Sequence, residues 1–93
     1  MTDTTLRAGE SLVTGKQIRA ARGALNWSVR QLAEQSGVGA ATISRYEAVD
    51  GVPQSRKDNL HKLRRTLESR GIRFVSDRRF SFGVLFDIPL EYR

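Results

Sequence analysis

Four neighbouring positions, Ala40, Ala41, Ser44 and Arg45, carry side chains suited to chemistry on the edge of a base pair. An arginine fork matches guanine O6 and N7 and can contact both at once, and an alanine packs on a thymine methyl. Ser44 can bond several base edges and so discriminates poorly between them. We expect Arg45 to be the main reader; the plainer alternative is a phosphate contact. A second set suits phosphate oxygens: Ser28 and Gln31 at the start of one expected helix, Gly39 and Thr42 at the start of another, and Arg30 beside the first. A helix N-terminus offers unpaired N–H groups and partial positive charge, which favour an anion. Helix capping alone would also explain Ser28, and both roles are expected to hold together because its backbone N–H remains free. Gly39, without a side-chain oxygen, lets a phosphate approach the backbone closely. Arg56 and Lys57 are flanking cations that a solvated charged face would explain equally well.

These side chains act together only if the elements beneath them share a face. Residues 31–46 read as two short amphipathic helices joined by a glycine-centred turn. Leu32 and Ala33 give the first an inward face, and Ile43 and Tyr46 give the second one. Gly37 falls where the first helix must stop, in the left-handed conformation that glycine adopts without a Cβ clash. Val38 drops into the angle between them, and Ala33 is small enough for a steep helix crossing. This is the pattern of a helix-turn-helix, whose second helix enters the major groove.

Around that pair, Thr14 and Gln17 form a capping box ahead of Ile18, Ala21 and Leu25, predicting a helix over 15–24 that ends near Asn26. Ser28 and Gln31 form a second capping box. Trp27 stands where it can staple onto Leu32, with base stacking as the sharper alternative. The reading helix is expected over about 40–48. Residues 50–53 read as a turn, and Ser55 with Asp58 opens a longer helix with Leu60, Leu63 and Leu67 on its apolar face, stopped by Gly71. Residues 72–75 and 80–86 are β-branched or aromatic and look like a β-hairpin.

Composition narrows the function classes. Sixteen Lys and Arg against ten Asp and Glu give 93 residues a net charge of +6, which favours a polyanion. A hydrophobic fraction of 39% supports one small core. With no cysteine and His61 as the single histidine, thiolate sites, disulfides and His-rich metal sites are not expected. No paired carboxylates mark a catalytic site, and Gly37-x-Gly39 is too short for a phosphate loop, so neither an enzyme nor a cofactor is expected. No apolar run approaches about 18 residues, and the N-terminus lacks a signal-peptide segment, so a cytoplasmic protein off the membrane is expected. Residues 1–13 read as a flexible arm; Arg7 beside Asp3 and Glu10 argues against a minor-groove role.

Leu32-Ala33, Gly37-Val38, Thr42-Ile43-Ser44 and Arg45-Tyr46-Glu47 together resemble the phage-repressor and Cro type helix-turn-helix family, the xenobiotic-response-element family of bacterial transcriptional regulators. Leu67-Glu68-x-x-Gly71-Ile72-x-Phe74-Val75 is similar to the tail of its short single-domain members, so the resemblance covers about residues 14–75. It implies a mainly α, lambda-repressor-like domain of four to five helices whose helix near 40–48 reads bases. It also implies that Arg22 pairs with Glu47 and is structural rather than DNA-contacting. Gly39-Ala40-Ala41 departs from the relatives, many of which carry Ser, Gln or Arg there, and leaves fewer hydrogen-bonding readers.

The expected organisation is an arm (1–13), a DNA-binding domain (14–71) and a short C-terminal hairpin or tail (72–93). The expected function is sequence-specific binding of double-stranded DNA as a homodimeric regulator, by expectation a repressor. One short helix reads only a few base pairs, so two copies must share a site. The hairpin is the candidate dimer element, through Phe80, Phe82, Val84 and Phe86; its alternative is to pack back on its own helices. The competing function is an antitoxin-like module whose tail binds a toxin-like partner protein.

Overall fold

A computed structural model describes residues 13–55, 58–77 and 81–86. The expected arm over residues 1–12, the cations Arg56 and Lys57, Phe80 and the tail over 87–93 lie outside the described residues. Four helices and a two-stranded hairpin follow in order: α1 (Gly15–Ala24), α2 (Val29–Ser36), α3 (Ala40–Glu47), α4 (Asn59–Glu68), β1 (Ile72–Asp77) and β2 (Ser81–Phe86). The mainly helical domain with a C-terminal hairpin is the architecture expected from the sequence.

Local chemistry sets the helix ends. Thr14 Oγ1 accepts from Gln17 N and Gln17 Oε1 accepts from Thr14 N, both at 2.9 Å, so the first capping box is closed. α1 ends in a Schellman arrangement: Asn26 takes a left-handed φ of 58°, its N–H bonds Gly23 O, and Trp27 N bonds Arg22 O, each at 3.0 Å. At the turn between α2 and α3, Gly37 has φ 82° and its N–H reaches Ala33 O at 2.9 Å. α4 starts later than expected, at Asn59 rather than near Ser55. Asn59 Nδ2 donates to the Tyr46 hydroxyl at 3.2 Å, which pins that start to the end of α3. Gly71, at φ 93°, turns the chain into β1 two residues after the Ser69 C-cap.

The core collects one stripe from every helix and one face of the hairpin. Ile18 and Ala21 of α1, Leu32 of α2, Val38 of the turn, Ile43 and Tyr46 of α3, and Leu63 and Leu67 of α4 are all buried. Val13, the last residue of the expected arm, is also fully buried there. The strands are antiparallel, with Ile72 opposite Phe86, Phe74 opposite Val84 and Ser76 opposite Phe82. Paired residues share a face, so Ile72, Phe74 and Val84 pack inward together while Val75 and Leu85 face out.

A single amide ties the hairpin to the helices. Gln17 Nε2 donates to Val75 O at 3.2 Å and to Gly83 O at 2.7 Å, one carbonyl from each strand. The same side chain closes the α1 capping box through its oxygen, so both ends of this buried amide are satisfied.

Candidate nucleic-acid interface

α3 is amphipathic in the sense the reading requires. Ile43, Tyr46 and Glu47 are buried, whereas Ala40, Ala41, Ser44 and Arg45 share the exposed face. Positions three and four apart lie together on a helix, so Ala40 with Ser44, and Ala41 with Ser44 and Arg45, join the two methyls, the hydroxyl and the guanidinium into one surface. Arg45 lies 5.7 Å from the centroid of the Tyr46 ring and has no carboxylate partner among the described residues. Its fork therefore keeps its hydrogen-bonding capacity for another acceptor.

At the N-terminus of α3, Gly39 is exposed and makes no side-chain cap. A Cβ built there would meet nothing closer than Thr42 Oγ1 at 4.0 Å, so the backbone is open to an incoming group. Thr42 is half-buried. At the start of α2, one sequence expectation needs correction. The Ser28 backbone N–H is not free: it donates to Gln31 Oε1 at 2.8 Å, while Gln31 N donates to Ser28 Oγ at 3.0 Å. The reciprocal bonds occupy the oxygen of Gln31 and leave its amide NH2 and the Ser28 hydroxyl proton as the outward donors. Both residues are exposed, as is Arg30.

Behind this surface stands the ion pair. Arg22 Nε lies 2.8 Å from Glu47 Oε2 and Arg22 Nη2 lies 2.9 Å from Glu47 Oε1, a two-point contact. Arg22 Nη1 also donates to Trp27 O at 2.8 Å, so one guanidinium joins α1, the α1–α2 connection and the end of α3. The Glu47 hydrogen bonds raise the Arg22 pKa above the ordinary arginine value; desolvation opposes this and charge attraction adds to it. Three of the five Arg22 donors are thus spent on groups inside the protein.

Several contacts had no signal in local sequence. Arg19 Nη1 donates to Glu47 O, and Arg19 Nη2 lies 3.8 Å from Asp50 Oδ1. The Arg70 guanidinium covers the half-buried Trp27 ring at 5.2 Å and bonds Gln35 Oε1 at 3.2 Å, which gives Trp27 a packing role. Arg64 sits over Phe74 at 5.6 Å and pairs with Glu68 at 2.8 Å. All except the Arg64–Glu68 pair, whose spacing of four on one helix is readable locally, join residues brought together only by the tertiary fold.

The expected dimer face is changed by the packing. Val84 is half-buried against its own core, because its strand partner Phe74 carries that face onto the helices. Phe86 is 51% exposed, while the side chain of Phe82 and all of Phe80 lie outside what is described. The exposed apolar groups of the hairpin are Val75, Leu85 and Phe86. Among the described residues no helix is long and apolar enough to cross a membrane, and no three His, Cys, Asp or Glu are grouped as metal ligands.

Residues 18–54, from α1 through the chain beyond α3, match the helix-turn-helix family model. No curated protein matches the chain. With Gly37 at the turn and the Arg22–Glu47 pair behind α3, residues 18–54 match the Cro and C1 type helix-turn-helix family, which is typical of xenobiotic-response-element-like regulators.

Proposed function

We propose that this protein is a sequence-specific transcriptional repressor of the cytoplasm that binds double-stranded DNA as a homodimer, with α3 of each copy in the major groove. The observation that carries the reading is the exposed face of α3, where Ala40, Ala41, Ser44 and Arg45 stand clear while Glu47 is buried in its pair with the half-buried Arg22. Arg45 reads guanine, the two alanines pack on thymine methyls, and Ser44 adds a tolerant hydrogen bond. The Ser28 hydroxyl, the Gln31 amide, Arg30 and the open backbone at Gly39 and Thr42 hold phosphates on either side. With so few polar readers, DNA shape supplies part of the discrimination. Occupying a promoter site is enough to repress.

α3 spans eight residues, about 12 Å at 1.5 Å per residue, which reaches only a few base pairs. A second copy on a half-site about one helical turn away supplies the rest. Val75 and Leu85 exposed on one face, Phe86 exposed at the strand end, and strand edges that no other described strand pairs favour pairing of copies there.

Selection of bound duplexes from random sequence tests the reading. A motif with two related halves is expected, and recovery without any enriched motif would overturn it. The same apolar surface favours a second reading, an antitoxin-like module that holds a toxin-like protein. Mass measurement of the purified complex separates the two: twice the chain mass supports the homodimer, and an added chain of different mass supports the module.

A further inference from the structure

α1 presents Gly15, Arg19 and Arg22 on one face, spaced by four and three residues, and all three meet the segment from Tyr46 to Gly51. Gly15 N donates to Gly51 O at 2.8 Å, and a methyl at Gly15 would fall 2.1 Å from Tyr46 O and 2.2 Å from Val49 O. Arg22 holds the Glu47 carboxylate. Arg19, between them, holds the backbone carbonyl of the same residue.

The last carbonyls of a helix have no partner within it. At the end of α3, Arg45 O accepts from Ala48 N at 3.3 Å and Tyr46 O from Val49 N at 3.2 Å. Glu47 O is taken by Arg19, whose charge also stands at the negative end of the helix dipole. The second leg, to Asp50, is weak: the carboxylate is 81% exposed and 3.8 Å away, where solvent screens the attraction. The carbonyl bond carries the contact.

The geometry points to Arg19 as a positioning residue for base recognition. It touches no base, but it fixes the C-terminal end of the reading helix and the loop that follows. Arg45 lies two residues before the held carbonyl, and a two-point contact to guanine survives only small displacements, on the order of 0.5 Å. Loss of Arg19 therefore blurs reading more than it weakens attraction to DNA. The inference rests on α3 being the reading helix. The competing role, a direct phosphate contact by the partly exposed Arg19 side chain, gives a different signature.

The test compares full-length wild type with Arg19→Ala and Arg19→Lys on a selected duplex and a mismatched duplex, across salt concentrations, together with amide exchange at residues 48–51. For Arg19→Ala the ratio of matched to mismatched affinity is expected to fall about tenfold, the loss of one charged hydrogen bond. Mismatched affinity and the salt slope stay unchanged, and exchange at 48–51 accelerates. In Arg19→Lys, which keeps the charge and a donor but not the fork, the ratio and the exchange protection recover together. Equal weakening on both duplexes with a slope reduced by about one would identify a phosphate contact and overturn the proposal. An unchanged ratio, or a ratio restored by lysine without restored protection, would overturn it as well. If Arg19→Ala fails to fold, Arg19→Lys decides by requiring ratio and protection to move together. If wild type shows no sequence preference, the DNA reading itself fails, while exchange at 48–51 still reports whether Arg19 holds the helix end.

Discussion

Arg45 lies in α3 and Arg22 packs against its end, and their surroundings differ. Arg45 is exposed and unpaired by any described carboxylate, so it is available to a base. Substituting Arg45→Ala should cost about 1–3 kcal/mol on the matched duplex and much less on a mismatched one, measured by titration at fixed salt. Equal losses on both would reduce Arg45 to a phosphate contact. Arg22 is spent on Glu47, whose side chain is only 7% exposed. Glu47→Ala leaves a partly buried guanidinium without its carboxylate and should destabilise the fold by about 3–5 kcal/mol in a denaturant titration. Because the Arg22 pKa is raised in the folded state, its contribution is fully present below the ordinary arginine value and is lost only as pH climbs through the raised one. Mild alkali should therefore leave this contribution unaffected. The residue types were legible in the sequence, and so was the occupied Ser28 N–H, because the Ser28–Gln31 capping box already claims it.

At the scale of elements, two glycines are required for unlike reasons. Gly37 has φ 82° with open space around a built Cβ, so Gly37→Ala meets backbone strain alone, about 1 kcal/mol. Gly15 has no such φ, but a Cβ there collides with two backbone carbonyls. Gly15→Ala should cost about 3 kcal/mol or more or prevent folding, because neither carbonyl is a flexible group that can move aside. Thermal melts of the two variants check the order. Gln17 offers a sharper separation. Gln17→Glu keeps the acceptor that closes the capping box but removes both donations to Val75 O and Gly83 O. Hairpin amides should exchange faster while the first turn of α1 keeps its protection. The Thr14–Gln17 spacing announced the cap; nothing local announced that its other end would reach residues 75 and 83.

For the whole molecule, the hairpin divides into an inner face that completes the core and an outer face that exposes Val75 and Leu85 beside Arg73. Leu85 is 55% exposed, so Leu85→Lys should preserve the melting temperature of the domain yet shift sedimentation from dimer to monomer. Retention of a dimer would overturn the hairpin as the proposed dimer element. A net charge of +6 should also appear as a steep loss of DNA affinity with rising salt, shared by matched and mismatched duplexes.

What the sequence determined by itself was local: the capping boxes at Thr14 and Ser28, the left-handed turn at Gly37, the apolar stripes, and the order of helices and strands. These follow from spacing and backbone preference within a few residues. The fold decided what depends on distant chain meeting at close range: Gly15 beneath Tyr46 O and Val49 O, Arg19 on Glu47 O, Gln17 across both strands, and Val84 turned inward beside Phe74. Hydrogen-bond direction and side-chain burial are fixed only when the core closes, so no reading of periodicity could have assigned them.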